Sequence, residues 1–196
     1  MRRILPILFT ALLAACASDA TLTPPSAQPT TTTLPTGHLR GIGDPTRGAI
    51  LAAAPAFARP AALRGRPADA ARAVMALEHI AVMVPQDPAF RGFNPLVGVQ
   101  LPQGRDEVRG LIGIAPGAAP QAVINAMFAA SEALQAGDRA AALRALPAEV
   151  APDPARTLAA LDAMPRAPIA ARATSAANRE LITLDRSGRT PRTLAR

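Results

Sequence analysis

The groups whose types suit chemistry are few and closely placed. Glu78 and His79 stand side by side, and Arg105, Glu107 and Arg109 follow about thirty residues on. A carboxylate next to an imidazole can act as general base and general acid, and guanidinium groups at i and i+4 of a helix can clamp an anion. The same residue types also make a structural ion pair. In that reading Glu78 meets Arg105 or Arg109 across a helix interface, and His79 packs between helices. The second reading requires no substrate and is the expected one, since such a pair matters chiefly for being kept intact. His38 lies in a polar, proline-rich stretch, and with one Cys and two His the chain is expected to hold no metal and no disulfide framework. Gly41-Ile42-Gly43 is too short for a nucleotide-binding fingerprint, and no Ser sits in a nucleophile-elbow pattern. The sequence therefore predicts no catalytic residues, no cofactor and a non-enzymatic role.

Composition narrows the partners. All 21 basic residues are Arg, close to a quarter of the 196 residues are Ala, and Lys, Tyr and Trp are missing. Sugar-stacking and base-stacking platforms are thereby absent. The formal charge is +7, but Arg2 and Arg3 lie in the first three residues and four more Arg lie in 186–196. Setting these aside leaves a body near +1. A broad nucleic-acid face needs positive charge on the fold itself, so nucleic acid is not an expected partner.

Proline placement and apolar periodicity predict an all-α fold, a single small bundle of six or seven helices over residues 44–184. Asp44-Pro45 and Asp153-Pro154 each pair an N-cap with the residue best suited to the first helical turn. The expected helices cover 45–54, 67–84, 105–114, 120–136, 138–146, 154–164 and 168–184. Apolar residues cover most of the circumference of 67–84, which marks it as the buried central helix. Val97-Gly98-Val99-Gln100-Leu101 is the one strand-like run. Pro85 to Gly104 reads as a long irregular loop, and its Phe90 and Phe93 are a candidate interaction surface.

The N-terminus carries a cationic Arg2-Arg3, an apolar run from Ile4 to Leu13, and then Leu13-Ala14-Ala15-Cys16. That order is an export signal, too short to span a bilayer. It resembles the leader of bacterial lipoproteins, with Leu13 to Cys16 as the lipobox. The resemblance implies a signal peptide over 1–15, diacylation of Cys16, and a membrane anchor at that residue. Ala17 in the following position implies the outer membrane, facing the periplasm. Residues 16–43 then read as lipidated Cys and flexible tether, reaching roughly 60–80 Å if extended. Residues 185–196 read as a basic, disordered tail able to touch anionic lipid or cell wall. Within the body, Leu134 to Leu146 is similar to the turn of a tetratricopeptide-type helical hairpin, over that one turn alone.

Together these features lead to a lipid-anchored cell-envelope protein that acts as a scaffold or interaction module with an envelope protein partner. A second reading is a periplasmic helical protein that binds an apolar or acidic small molecule, in a pocket lined by Met75, Val82 and the 85–104 loop. A third is a hydrolase or lyase using Glu78, His79 and Arg109, which requires those groups to converge on an open cleft.

Overall fold

The computed structural model describes residues 31–35 and 43–189. The predicted leader, Cys16, most of the predicted tether and residues 190–196 lie outside the described residues. Seven α-helices follow one another: α1 Pro45–Ala58, α2 Pro67–Met83, α3 Pro95–Ile112, α4 Pro120–Gln135, α5 Arg139–Arg144, α6 Pro154–Ala163 and α7 Pro168–Arg189. Short 3-10 turns lie at Pro60–Leu63 and Pro88–Phe90. The described residues contain no strand, and Val97 to Leu101 is part of α3.

Six of the seven helices begin with Pro, whose fixed φ suits the first turn and whose missing N–H is not needed there. Asp44 Oδ1 accepts from the Thr46 and Arg47 amides at the start of α1, and Asp153 Oδ1 accepts from Arg156 at the start of α6. Asn94 performs the same service for α3, accepting from the Leu96 amide at 3.0 Å. Asn94-Pro95 thus starts a helix inside the stretch read as a loop.

That start corrects the expected loop over 85–104. Only 85–94 is irregular, and α3 runs ten residues earlier than the expected helix at 105–114. Pro102 lies inside α3 and Pro55 inside α1, each removing one backbone hydrogen bond. Both helices continue because a buried face crosses the proline. In α3 that face is Val97, Leu101, Gly104 and Val108; in α1 it is Ile50, Ala53, Ala54 and Phe57. The C-terminal helix likewise extends to Arg189, so residues 185–189, expected to be disordered, are helical.

As the periodicity predicts, α2 is central. Every residue from Ala73 to Val82 is buried, and the helix packs against α1, α3, α4 and α6. Met75 and Val82 are core residues, so the pocket expected beside them is filled by packed side chains. Phe90 and Phe93 are also buried, edge to face with centroids 5.2 Å apart. They are a plug under the α2–α3 connection and not the exposed surface that was expected.

Helix α7 closes the bundle against α1 and α3. Its crossing with α3 is so close that a Cβ added at Gly104 would lie 2.7 Å from the Cα of Ala170. Helix propensity alone favours Ala over Gly by about 1 kcal/mol. Here the obstacle is backbone, which has no rotamer to yield, so the clash decides the sign. Gly104→Ala is expected to destabilise the protein by about 1–3 kcal/mol. Chemical denaturation of the wild type and variant checks this; equal or raised stability would contradict the close crossing.

Candidate functional site

The charged residues singled out by the sequence meet at the α2–α3 interface. Arg109 Nε and Nη2 donate to Glu78 Oε1 and Oε2, both at 2.7 Å, which is the planar two-bond fit of guanidinium to carboxylate. Arg109 Nη1 also donates to the carbonyls of Pro116 at 3.0 Å and Ala118 at 2.9 Å. Both side chains are about 1% exposed. Placing the pair here requires α2 to be apolar nearly all round and α3 to end close by. Gly113 does the latter, capping α3 at φ 79° and letting the chain fold back so that the two carbonyls reach Arg109.

Arg105, the alternative partner, turns away to the neighbouring Asp106, with its Nε 2.9 Å from Oδ1. Glu107, one position further on, spans to α7, where its Oε2 accepts from the Ile169 and Ala170 amides at 2.8 and 2.9 Å. A carboxylate from a neighbouring helix thereby caps α7, whose N-terminus has no polar residue of its own adjacent to Pro168.

Burial pushes the Glu78 carboxyl above its ordinary value of 4.5, while the hydrogen bonds and charge of Arg109, and more distantly the charge of Arg105, pull it back down. Both carboxylate oxygens are engaged and the pair is closed to solvent. The geometry the hydrolase reading required, Glu78 and Arg109 on an open cleft with His79, is not present at these residues.

His79 is 3% exposed and points to the other side of α2. Its Nδ1 lies 2.9 Å from Thr32 Oγ1 and its Nε2 lies 3.1 Å from Thr46 Oγ1. A threonine hydroxyl can donate or accept, so both contacts hold with either ring tautomer. Thr32 belongs to the stretch predicted to be a mobile tether, yet it is 4% exposed. Its amide donates to Met83 Sδ at 3.4 Å. Thr33 exchanges a pair of hydrogen bonds with Gln121 on α4, its amide donating to Oε1 at 2.8 Å and its carbonyl accepting from Nε2 at 3.0 Å. Residues 31–35 are therefore a strap seated on α2 and α4, which corrects that part of the expected tether. Composition misled here: a run of threonines is polar in bulk, but individual hydroxyls satisfy a buried imidazole.

Thr32, Thr46 and Gln121 were not singled out by the sequence, and nothing local marks them; the signal lies in the contacts His79 makes from mid-helix. Cys16 lies outside the described residues. Among the described residues no group of three or more His, Cys, Asp or Glu could hold a metal ion. No protein-family model, curated protein or solved structure matches the chain.

Arg109→Met leaves Glu78 buried without its cation and should cost about 3–5 kcal/mol, whereas Glu78→Leu combined with Arg109→Met should recover most of the loss. The pH dependence has a definite sign. A carboxyl whose folded value is raised contributes most below its unfolded value and less as pH rises through the folded one. Arg109 limits that decline, so the deficit of Arg109→Met should widen as pH rises from about 4.5 to 7, read by denaturant titrations at several pH values. Separately, Thr32→Val should remove the His79 contact, lowering stability by about 1–2 kcal/mol and speeding hydrogen exchange at the Thr33 amide; an unchanged Thr33 exchange rate would mean that the strap is held some other way.

Proposed function

We propose that this chain is a lipid-anchored protein of the cell envelope, fixed to the outer membrane through Cys16 and acting as a non-enzymatic interaction module. The observation that carries the anchor is the sequence itself: the single Cys stands at the end of Leu13-Ala14-Ala15-Cys16, after a cationic start and a short apolar run. Two or more acyl chains on that residue, palmitate among them, would make attachment effectively permanent. Among the described residues no helix is long and apolar enough to cross a membrane.

The interaction role is supported by the way the charged residues are spent. Glu78 and Arg109 serve each other and the α3–α4 connection, Glu107 serves α7, and His79 serves the strap. Apolar side chains also remain on the surface for a partner. Leu96 and Val99, one turn apart at the start of α3, are 61% and 57% exposed. Val99 borders a shallow hollow of about 420 Å³ that Pro85, Arg91 and Asn94 also line. The surface lies in the stretch flagged by the sequence but uses different residues from it: Phe90 and Phe93 are beneath, and Leu96 and Val99 face outward. A cationic contact of the C-terminal Arg residues with anionic lipid or cell wall is a further part of the proposal.

Metabolic labelling with a fatty-acid analogue should mark the wild type and not Cys16→Ser, and only the labelled form should stay with the membrane fraction in high salt. Photo-crosslinkers placed at Leu96 and Val99 in cells should trap a defined envelope protein. Label retained by Cys16→Ser would remove the anchor; a chain that crosslinks to nothing from either position would remove the interaction surface.

A further inference from the structure

A second surface has different chemistry. Between the end of α1, the 3-10 turn at Pro60–Leu63 and the first turns of α7 lies an open groove of about 610 Å³, a volume in the range of small-ligand sites. Phe57, Pro60, Pro168 and Ala171 contribute an apolar lining, and the charged side chains that reach it are Arg59 and Arg166. Of the arginines nearby in the chain, Arg66 pairs with Asp69 and Arg72 with Glu132, both at 2.7 Å. Neither Arg59 nor Arg166 has an ion pair or side-chain hydrogen bond among the described residues.

We infer that this groove binds a single-chain amphiphile with a carboxylate head, a fatty acid, its chain along the apolar lining and its head held by Arg59 and Arg166. The lining and the two cations each restrict the ligand. A small hydrophilic anion would find donors at the rim but would leave the apolar lining in contact with water. An uncharged hydrocarbon would cover the lining but gain nothing from the two exposed guanidinium groups. A carboxylate presents two oxygens in a plane, the shape to which guanidinium donors are matched, and guanidinium keeps its charge at any working pH. The body carries almost no net charge, so attraction at this place is local and does not come from a broad cationic face. The groove is separate from the Leu96–Val99 surface, and the inference does not depend on the anchor.

Titration calorimetry on the full chain carrying Cys16→Ser, which keeps detergent out of the experiment, tests this with dodecanoate, dodecanol and butanoate below micelle-forming concentrations. Dodecanoate should bind saturably, one per chain, and more tightly than either comparison compound. Arg59→Gln with Arg166→Gln should weaken dodecanoate roughly tenfold and leave dodecanol unchanged. Ala61 is exposed and lines the groove, so Ala61→Trp should fill it and abolish binding of both long-chain compounds with helicity intact by circular dichroism. If Ala61→Trp unfolds, Ala58→Trp, also exposed and on the groove, takes its place. Dodecanoate binding that survives the filled groove, that ignores the loss of both arginines, or that never saturates would overturn the inference, and so would no binding at all. Each of these readouts is independent of whether Cys16 is acylated in cells.

Discussion

The bundle is organised around one desolvated charge pair. Arg109 cannot lose its charge at accessible pH, and an unpaired guanidinium at 1% exposure would cost several kcal/mol. The fold answers this with four hydrogen bonds donated by Arg109, two to Glu78 and two to the carbonyls of Pro116 and Ala118. These partners come from α2 and from the connection between α3 and α4. Satisfying Arg109 therefore fixes the register of α2 against α3 and the path of the chain into α4 in one place. An apolar replacement could match the pair in free energy, but it would not specify register in the same way. What the pair contributes is chiefly a geometric constraint.

The rest of the polar interior follows the same economy. Glu107 leaves the α2–α3 interface to cap α7 across a helix crossing, and His79 leaves it on the opposite side to hold the strap. Each polar side chain of this group thus joins two elements distant in sequence. Aromatic payload is small, so large side chains contribute less of the cohesion than they do in most domains. Close packing of Ala and Gly on α3 and α7, with backbone nearly touching backbone at Gly104 and Ala170, compensates by bringing many atoms into contact without bulk.

How much of this was legible in the sequence depended on whether the deciding signal was local. Asp44-Pro45 and Asp153-Pro154 announce their helices because cap and proline are adjacent, and the apolar circumference of 67–84 announces burial. Asn94-Pro95 carries the same local signal, but it stands between Gly92 and Pro102-Gln103-Gly104 in a stretch rich in breakers. Propensity favours a loop there; packing of Val97, Leu101 and Val108 against the core overrides it. The Glu78–Arg109 pair was legible as one of two candidates, and the choice between Arg105 and Arg109 turned on the fold of the α3–α4 connection, which no spacing rule contains. The Thr32 contact was illegible for a related reason. It joins residues 47 apart in sequence, and one side is a low-complexity run in which no single threonine stands out.

Alanine links the interior to the surface. In the core, short side chains let helices approach until backbone meets backbone, and the crossing of α3 with α7 is the tightest consequence. On the exterior, where no facing helix closes the gap, the same short side chains leave hollows that larger residues would have filled. The groove beside Arg59 is of this kind: Ala58, Ala61, Ala62, Ala167 and Ala171 all border it. The alanine-rich composition therefore has two structural results, a core that tolerates few bulky substitutions and a surface with space along its helices. The arginines at that surface differ in kind from the buried one. Arg109 makes four hydrogen bonds within the chain, whereas Arg59 and Arg166 are exposed beside an apolar lining with no ion pair among the described residues, so an anion from outside the fold can reach them.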